Sequence, residues 1–424
     1  MKVVHINKTD TGGGASVAAH RLHNALLKEG IDSYMLVEHK KSNGTNIVEA
    51  ESGRLAQIKA FGRFVGERLT ILPSERSLSM RYNFSIANTG LDISQHPLVQ
   101  DADIIHLHWI NQGYLSMQGL QKLFELGKPV VWTLHDMWAF SGGCHYAGSC
   151  LEYAEHCGYC PLLRNPSKTD LSQQIFQQKK SVYGNANLTL VACSHWLCSC
   201  ASGSVLFRHK KCVVIPNPIE RDVFCPRDKS ACRMALGLPT DKKLLLFGAA
   251  KLSDIRKGYR YLSEALRIIS DSFPLIAQQI ELVVFGKVKG GKLQDDGHSF
   301  RVHSFDFVRD RQTLVNLYNA ADAFVLPSLQ DNLPNTVMES LACGTPVVGF
   351  RIGGVPEMVE HEKVGYMAEV KNSLSLANGI VSTLLMGFSA RQKEISEYAY
   401  SLYDEKIVAK QYISTYRTAL ANRQ

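Results

Sequence analysis

AFVLPSLQDNLPNTVMESLACGTPVVGFRIGGVP, residues 323–356, decides how the chain is expected to fold. A short apolar run, 324–326, ends at Pro327-Ser328, and a loop carrying Asp331 follows. Pro334-Asn335-Thr336 then opens a helix that holds Glu339 and stops near Gly344. Another apolar run, 347–350, leads into a Gly353-Gly354 turn. Strand, helix, strand in this order is one turn of a parallel α/β sheet, with both strands apolar because helices cover both faces. The first backbone N–H groups of the helix have no partner inside it, so its start is suited to a diphosphate. Glu339, early in that helix, can hold the vicinal hydroxyls of a ribose, as acidic residues do in dinucleotide folds. Asp331, ahead of the helix, can reach a sugar attached to that diphosphate.

Upstream, the strand expected at 244–247 runs into Gly248-Ala249-Ala250-Lys251 and then Asp254-Ile255-Arg256-Lys257-Gly258. A glycine turn with basic groups at a strand's carboxyl end offsets the charge that develops on a departing diphosphate. Further strands are expected at 3–6, 33–37, 104–108, 130–134, 188–192, 213–215 and 281–285. They alternate with longer helical stretches, as in a doubly wound α/β protein. The chain of 424 residues fits two such domains facing a central cleft. Pro216-Asn217-Pro218 reads as the hinge between them. The stretch 393–420 is polar and helical, with Tyr403, Ile407, Tyr412 and Tyr416 spaced along it.

With 45% hydrophobic and 20% charged residues, the chain is globular and not disordered. Its net charge of +8 suits a phosphate-bearing ligand or an anionic membrane surface, and no nucleic-acid partner is expected. No apolar run reaches the roughly 20 residues that span a bilayer. The N-terminus opens directly on a strand without a signal-peptide core, which points to the cytoplasm. Residues 59–81 are basic and partly apolar, with Phe61, Phe64, Leu69 and Ile71. This stretch could lie on the inner face of a membrane, or pack as an amphipathic helix on its own domain.

Three features of the first half carry chemistry. Gly12-Gly13-Gly14 follows the first strand and precedes a helix, either as a tight turn or as a place where backbone meets an anion. It is neither a dinucleotide fingerprint nor a P-loop, which argues against a dehydrogenase. Its position at a strand's carboxyl end favours Gly13 and Gly14 as ligand contacts. Two strands end in histidine, Ile104-Ile105-His106-Leu107-His108-Trp109 and Val130-Val131-Trp132-Thr133-Leu134-His135-Asp136. A histidine there can bond a sugar hydroxyl or take a proton, or simply be satisfied by backbone. His108 is expected to be the functional one and His106 to point inward. Asp101-Ala102-Asp103 has the form of a metal-binding pair but precedes its strand, so it lies at the wrong end of the sheet. A metal-independent reaction is expected.

Four of the 11 cysteines, Cys144, Cys150, Cys157 and Cys160, crowd one glycine-rich loop beside His145 and His156. Four sulfur ligands so close in a reducing compartment suit a structural zinc. The alternative is a set of partly buried thiols, or disulfides formed on oxidation.

The segment 331–357 resembles the family 4 retaining glycosyltransferases. Asp331 and Glu339 have the spacing of that family's acidic pair. Ala342-Cys343-Gly344-Thr345-Pro346-Val347-Val348 and Gly353-Gly354-Val355-Pro356-Glu357 match the strand and turn that follow it. Asn217, Lys257-Gly258, the N-terminal glycine loop and the strand-end histidines extend the match over most of the chain. His135-Asp136-Met137-Trp138 and the cysteine loop are similar to a bacterial subgroup that builds exopolysaccharide or lipopolysaccharide. The resemblance implies a GT-B fold: residues 1–217 on the acceptor side, 218–395 binding the nucleotide sugar, and 396–424 crossing back to the first domain. It implies a hexosyl transfer from a UDP- or GDP-sugar to a glycan or lipid-linked acceptor, with retention of anomeric configuration. Asp331, Lys257 and His108 would serve catalysis. Gly13, Gly14, Gly248, Lys251, Arg256, Asn335, Thr336 and Glu339 would hold the donor. Here aspartate stands at the first acidic position, and Ala249 where the family has arginine, so Lys251 or Arg256 would supply that charge. The rival readings are a nucleotide-sugar epimerase and a non-catalytic nucleotide-sugar-binding protein.

Overall fold

Seven strands of the computed structural model form one sheet and six form another. It describes residues 1–77, 81–252, 254–287, 299–306, 308 and 310–422, with the side chains of Ala250, Lys251 and Ser389 outside that description. The chain divides into two compact units, Met1–Pro216 with Lys406–Gln424, and Asn217–Glu405.

In the first unit the strands are β1 (Lys2–Thr9), β2 (Asp32–His39), β3 (Ile47–Glu49), β4 (Ile104–Leu107), β5 (Val130–Leu134), β6 (Leu188–Ala192) and β7 (Lys211–Val214). They lie in the order β3-β2-β1-β4-β5-β6-β7, every neighbouring pair parallel. Alternate residues of each strand enter opposite cores. Val4, Ile105, Leu107, Trp132 and Leu190 belong to one. Val3, Ile104, Val131 and Val191 belong to the other, under Leu22 and Leu26 of the helix Gly14–Lys28. The C-terminal helix Glu405–Ala421 completes that second layer with Tyr412 and Tyr416. Their hydroxyls bond the sheet itself, Tyr412 to Thr133 at 2.9 Å and Tyr416 to His106 Nδ1 at 2.7 Å.

The second unit holds β8 (Lys243–Lys251), β9 (Ile280–Lys287), β10 (Val302–Phe305), β11 (Ala323–Leu326), β12 (Val347–Phe350) and β13 (Gly365–Ala368). Their order is β10-β9-β8-β11-β12-β13, again all parallel. In each sheet the strand order reverses once, between β1 and β4 in the first and between β8 and β11 in the second. Loops diverge there, and such switch points are where open α/β sheets bind ligands.

The structure adds β3, β10 and β13 to the strands expected from sequence. The tail is not one helix but two, Gln392–Tyr403 and Glu405–Ala421. The break falls at Asp404, whose extended backbone (φ −49°, ψ 129°) pairs with Ile219. The Ile219 amide donates to Tyr403 O at 2.8 Å, and the Glu405 amide donates to Ile219 O at 3.2 Å. Among the described residues, no helix is long and apolar enough to cross a membrane.

Candidate active site

At the switch point of the second unit, β8 carries Gly248 and then a register shift before its end at Lys251. A Cβ on Gly248 would meet the Phe285 ring of the adjacent strand at 2.1 Å, so its glycine is required by packing. The side chain of Lys251 lies outside the described residues. Beyond it Asp254 caps the short turn Ile255–Lys257, accepting from the Arg256 amide at 3.0 Å and from its guanidinium at 2.8 Å. Gly258 then takes φ +68°, and a Cβ there would lie 1.9 Å from Pro327 O at the end of β11. Only glycine passes so closely, and the Leu329 amide locks the approach by donating to Arg256 O at 2.7 Å.

This docking brings Lys257 Nζ to 2.6 Å from Asp331 Oδ2. The pair is one-quarter and one-eighth exposed, respectively, so water still reaches the ammonium. The helix Asn335–Ala342 begins four residues after Asp331 with Pro334 at its cap, and no side chain caps it. Asn335 Oδ1 accepts from Asn217 Nδ2 at 3.1 Å, and Thr336 is half-buried. Glu339 is 5% exposed and accepts from the buried Tyr318 hydroxyl at 2.9 Å. Asp331, Lys257, Asn335, Thr336 and Glu339 are thus gathered at one edge of the sheet. Arg256, expected to supply donor charge, is engaged by Asp254. Tyr318 is absent from the sequence expectations, because a tyrosine inside an amphipathic helix has no spacing that marks it.

The first unit has its own cluster at the β1/β4 switch. Gly12 (φ +99°), Gly13 and Gly14 are exposed, and a Cβ on Gly13 would meet nothing within 4 Å. Their flanks are fixed. Asn7 Nδ2 donates to Ser16 Oγ at 3.0 Å, and Asp10 accepts from the Lys41 and Ser42 amides at 2.7 and 2.8 Å. The backbone of the loop therefore faces open space from rigid supports.

Beside it four histidines stack. His5 Nδ1 lies 3.0 Å from His108 Nε2, and His108 Nδ1 lies 3.2 Å from His135 Nε2. His106 is satisfied inside by Tyr416 and by Thr133 Oγ1, the latter at 2.7 Å. His108, expected at the acceptor, is only 4% exposed and has both ring nitrogens engaged by other histidines. The partly exposed member of the line is His135, whose Nδ1 also lies 3.9 Å from Cys193 Sγ. The reason is the register: His108 pairs inside the sheet edge, whereas His135 follows a strand one residue longer. Burial pushes the His135 pKa down to about 4, and those of His5, His106 and His108 well below the ordinary 6.5. All four are neutral at pH 7. The donor nitrogens of His5, His106 and His108 lie within 4.8 Å of one another, but a metal would have to displace the hydroxyls on His106.

Asp136, next to His135, accepts from the Trp138 amide at 2.8 Å, the Trp109 indole at 3.1 Å and His145 Nδ1 at 2.7 Å. Burial opposes its charge, yet His145 and these donors hold its pKa below the usual carboxylate value. Asp101 and Asp103 are both bound to Lys2 at the opposite strand end. Cys144 and Cys150 are half-buried, Cys157 and Cys160 are buried, and all four are free thiols.

Glycosyltransferase Family 4 matches residues 12–223, half of the chain, and the family described as Glycosyl transferases group 1 matches residues 241–385. WcaC of Escherichia coli K12, which carries the provisional name of a colanic acid biosynthesis glycosyl transferase, is 22% identical over 98% of this chain and 100% of its own length. Sucrose-phosphate synthase from Thermosynechococcus elongatus superposes with a TM-score of 0.67 at 17% identity, over all of both chains. Anabaena HepE, solved with UDP, gives a TM-score of 0.64 at 17% identity over 99% of this chain and 100% of its own, and a second structure of it holds UDP-glucose. These likenesses fix the two-domain GT-B architecture.

The histidine cluster sets a pH dependence. A histidine kept neutral in the fold takes up a proton on unfolding, so below pH 6.5 the unfolded chain binds more protons and stability falls. Each such group contributes up to about 1.4 kcal/mol per pH unit in that window. The thermal midpoint of the chain is therefore expected to be level above pH 7 and to drop steadily from pH 6.5 towards pH 4.5. A midpoint unchanged across that range would contradict the buried neutral line.

Proposed function

The chain belongs to glycosyltransferase family 4, and we propose that it is a retaining hexosyltransferase of surface-polysaccharide assembly. Its donor would be a UDP- or GDP-sugar, and its acceptor a glycan or lipid-linked glycan. The observation that carries this reading is the Lys257–Asp331 pair beside an uncapped helix start and a Glu339 carboxylate oriented by Tyr318. A cation, a set of helix amides and two carboxylates are what a nucleoside diphosphate sugar requires. On donor binding, the Lys257 ammonium turns from Asp331 to a phosphate oxygen, and Asp331 takes sugar hydroxyls. Glu339 holds the ribose hydroxyls, and the amides of Asn335 and Thr336 face the phosphates. The anomeric C–O bond to the diphosphate breaks while the acceptor oxygen bonds to the same face. The acceptor's proton passes to the departing phosphate oxygen. Lys257 and the positive end of the helix offset the charge on that oxygen without a metal. In the first unit, Gly13 and Gly14 offer backbone to a phosphate, and His135 offers a neutral imidazole to a sugar hydroxyl with His108 setting its orientation.

We also propose that the protein rests on the inner face of a membrane. The helix Arg54–Ile71 exposes Leu55, Ile58, Phe61 and Leu69, each more than 60% accessible. At 100° per residue they share an arc of roughly 120°, with exposed Lys59 at its border and exposed Arg54 within it. Of the expected residues, Phe61 and Leu69 carry the face, whereas Phe64 is half-buried and Ile71 fully buried, and Leu55 and Ile58 take their place.

Incubation with a panel of nucleotide sugars tests the transfer. Slow release of the nucleoside diphosphate is expected from one donor. Lys257→Ala should lower its kcat about 10²- to 10³-fold. Glu339→Ala should raise its KM about tenfold or more. Isomerised sugar would instead support an epimerase, and tight binding without turnover a binding protein. For the membrane, anionic vesicles should sediment the wild type and leave the Ile58→Ser/Phe61→Ser variant in solution. Equal behaviour of the two would remove that contact.

A further inference from the structure

The loop between β5 and the helix Leu171–Tyr183 folds around sulfur. Cys144, Cys150, Cys157 and Cys160 come from four points along it, yet all line one cavity of about 20 Å³, room for a single small guest. The backbone is bent to achieve this. Cys157 (φ 47°), Gly158 (φ 141°) and Tyr159 (φ 47°) are three successive residues with positive φ, two of them not glycine. Such residues cost about 1–3 kcal/mol each and persist where the surroundings hold them.

Burial pushes the Cys144, Cys157 and Cys160 thiols up, so without a metal they are neutral, and a few donors reach them. The Gly142 amide donates to Cys157 Sγ at 3.1 Å. Lys179, from the adjoining helix, is completely buried. Its ammonium lies 3.6 Å from the Trp138 ring centroid and donates to the carbonyls of Trp138 and Ser141, the second at 3.0 Å. Burial lowers its pKa to about 7, and its titratable neighbours are the thiols of Cys144 and Cys157 and Asp136, already engaged by His145.

We propose that Cys144, Cys150, Cys157 and Cys160 bind one zinc ion, with Lys179 as its buried counter-charge. Four thiolates on Zn²⁺ carry a net charge of −2, which Lys179 and the N–H···S bond offset. Zinc at about 2.3 Å from each sulfur sets the sulfurs about 3.8 Å apart. In the structure they stand wider than ligand spacing, so the ion would draw the loop inward over the cavity. Binding releases the thiol protons to solvent. The site would fasten the loop that begins at Asp136 and so hold His135 and Asp136 in place, but it does not depend on the donor or acceptor proposed above.

The full chain, purified under reducing conditions, should contain about one zinc per molecule by elemental mass spectrometry, released by a thiol-specific mercurial. Cys157→Ser and Cys160→Ser should lose it, whereas Cys232→Ser, outside the loop, should keep it. Lys179→Met should weaken zinc retention against a chelator about 10- to 100-fold. Cobalt substitution of the wild type should give the intense visible bands of a tetrahedral thiolate site, a readout that survives if the cysteine variants do not fold. A wild-type chain free of zinc that also fails to take up zinc or cobalt anaerobically would overturn the proposal. Disulfides among the four cysteines in the reduced protein would do the same, and unchanged retention in Lys179→Met would remove the counter-charge.

Discussion

Within each sheet every neighbouring strand runs parallel, and this direction governs what the rest of each unit can be. Parallel strands need crossover helices, so both faces are covered and the strands become nearly all apolar. Their carboxyl ends all open at one edge, where strand order reverses between β1 and β4 and between β8 and β11. The Lys257–Asp331–Glu339 group and the histidine line lie at those two openings. In the second unit the decisive contact is Gly258 against Pro327 O, because any side chain there would push Lys257 away from Asp331. One glycine therefore sets the distance between the cation and the carboxylate.

The two openings solve different electrostatic problems. The second unit keeps real charge within reach of water, with Lys257 and Asp331 neutralising each other until something replaces one of them. The first unit buries a line of histidines and holds them neutral, as their depressed pKa values show. A neutral imidazole at His135 can either donate or accept a hydrogen bond, which suits hydroxyls better than phosphate. The contrast fits a donor half that manages diphosphate charge and an acceptor half that orients uncharged sugar.

Much of this was legible in the sequence, and what was not has physical reasons. The segment 323–356 announced β11, the helix Asn335–Ala342 and β12 because apolar runs, Pro334 and Gly344 mark each boundary. The strands β3, β10 and β13 all lie at sheet edges, so none has the apolar run that a central strand shows. The tail's break at Asp404 comes from pairing with Ile219, nearly two hundred residues away, which no local pattern records. His106 and His108 were correctly seen at a strand end. That His108 lies beneath His135 depends on how far β4 and β5 extend relative to each other, a matter of register between strands. Gly248 resembles a phosphate-loop glycine in sequence, yet its neighbour Phe285 explains it. Tyr318 orients Glu339 from a different helix, and only packing brings them together.

The central claim is that the nucleotide is held at the β8/β11 switch point of the second unit. Hydrogen–deuterium exchange with and without UDP tests it most directly. Added UDP should slow exchange in residues 254–258 and 331–339, with β6 and β7 of the first unit unaffected. Protection confined to the first unit, or none at saturating nucleotide, would contradict it.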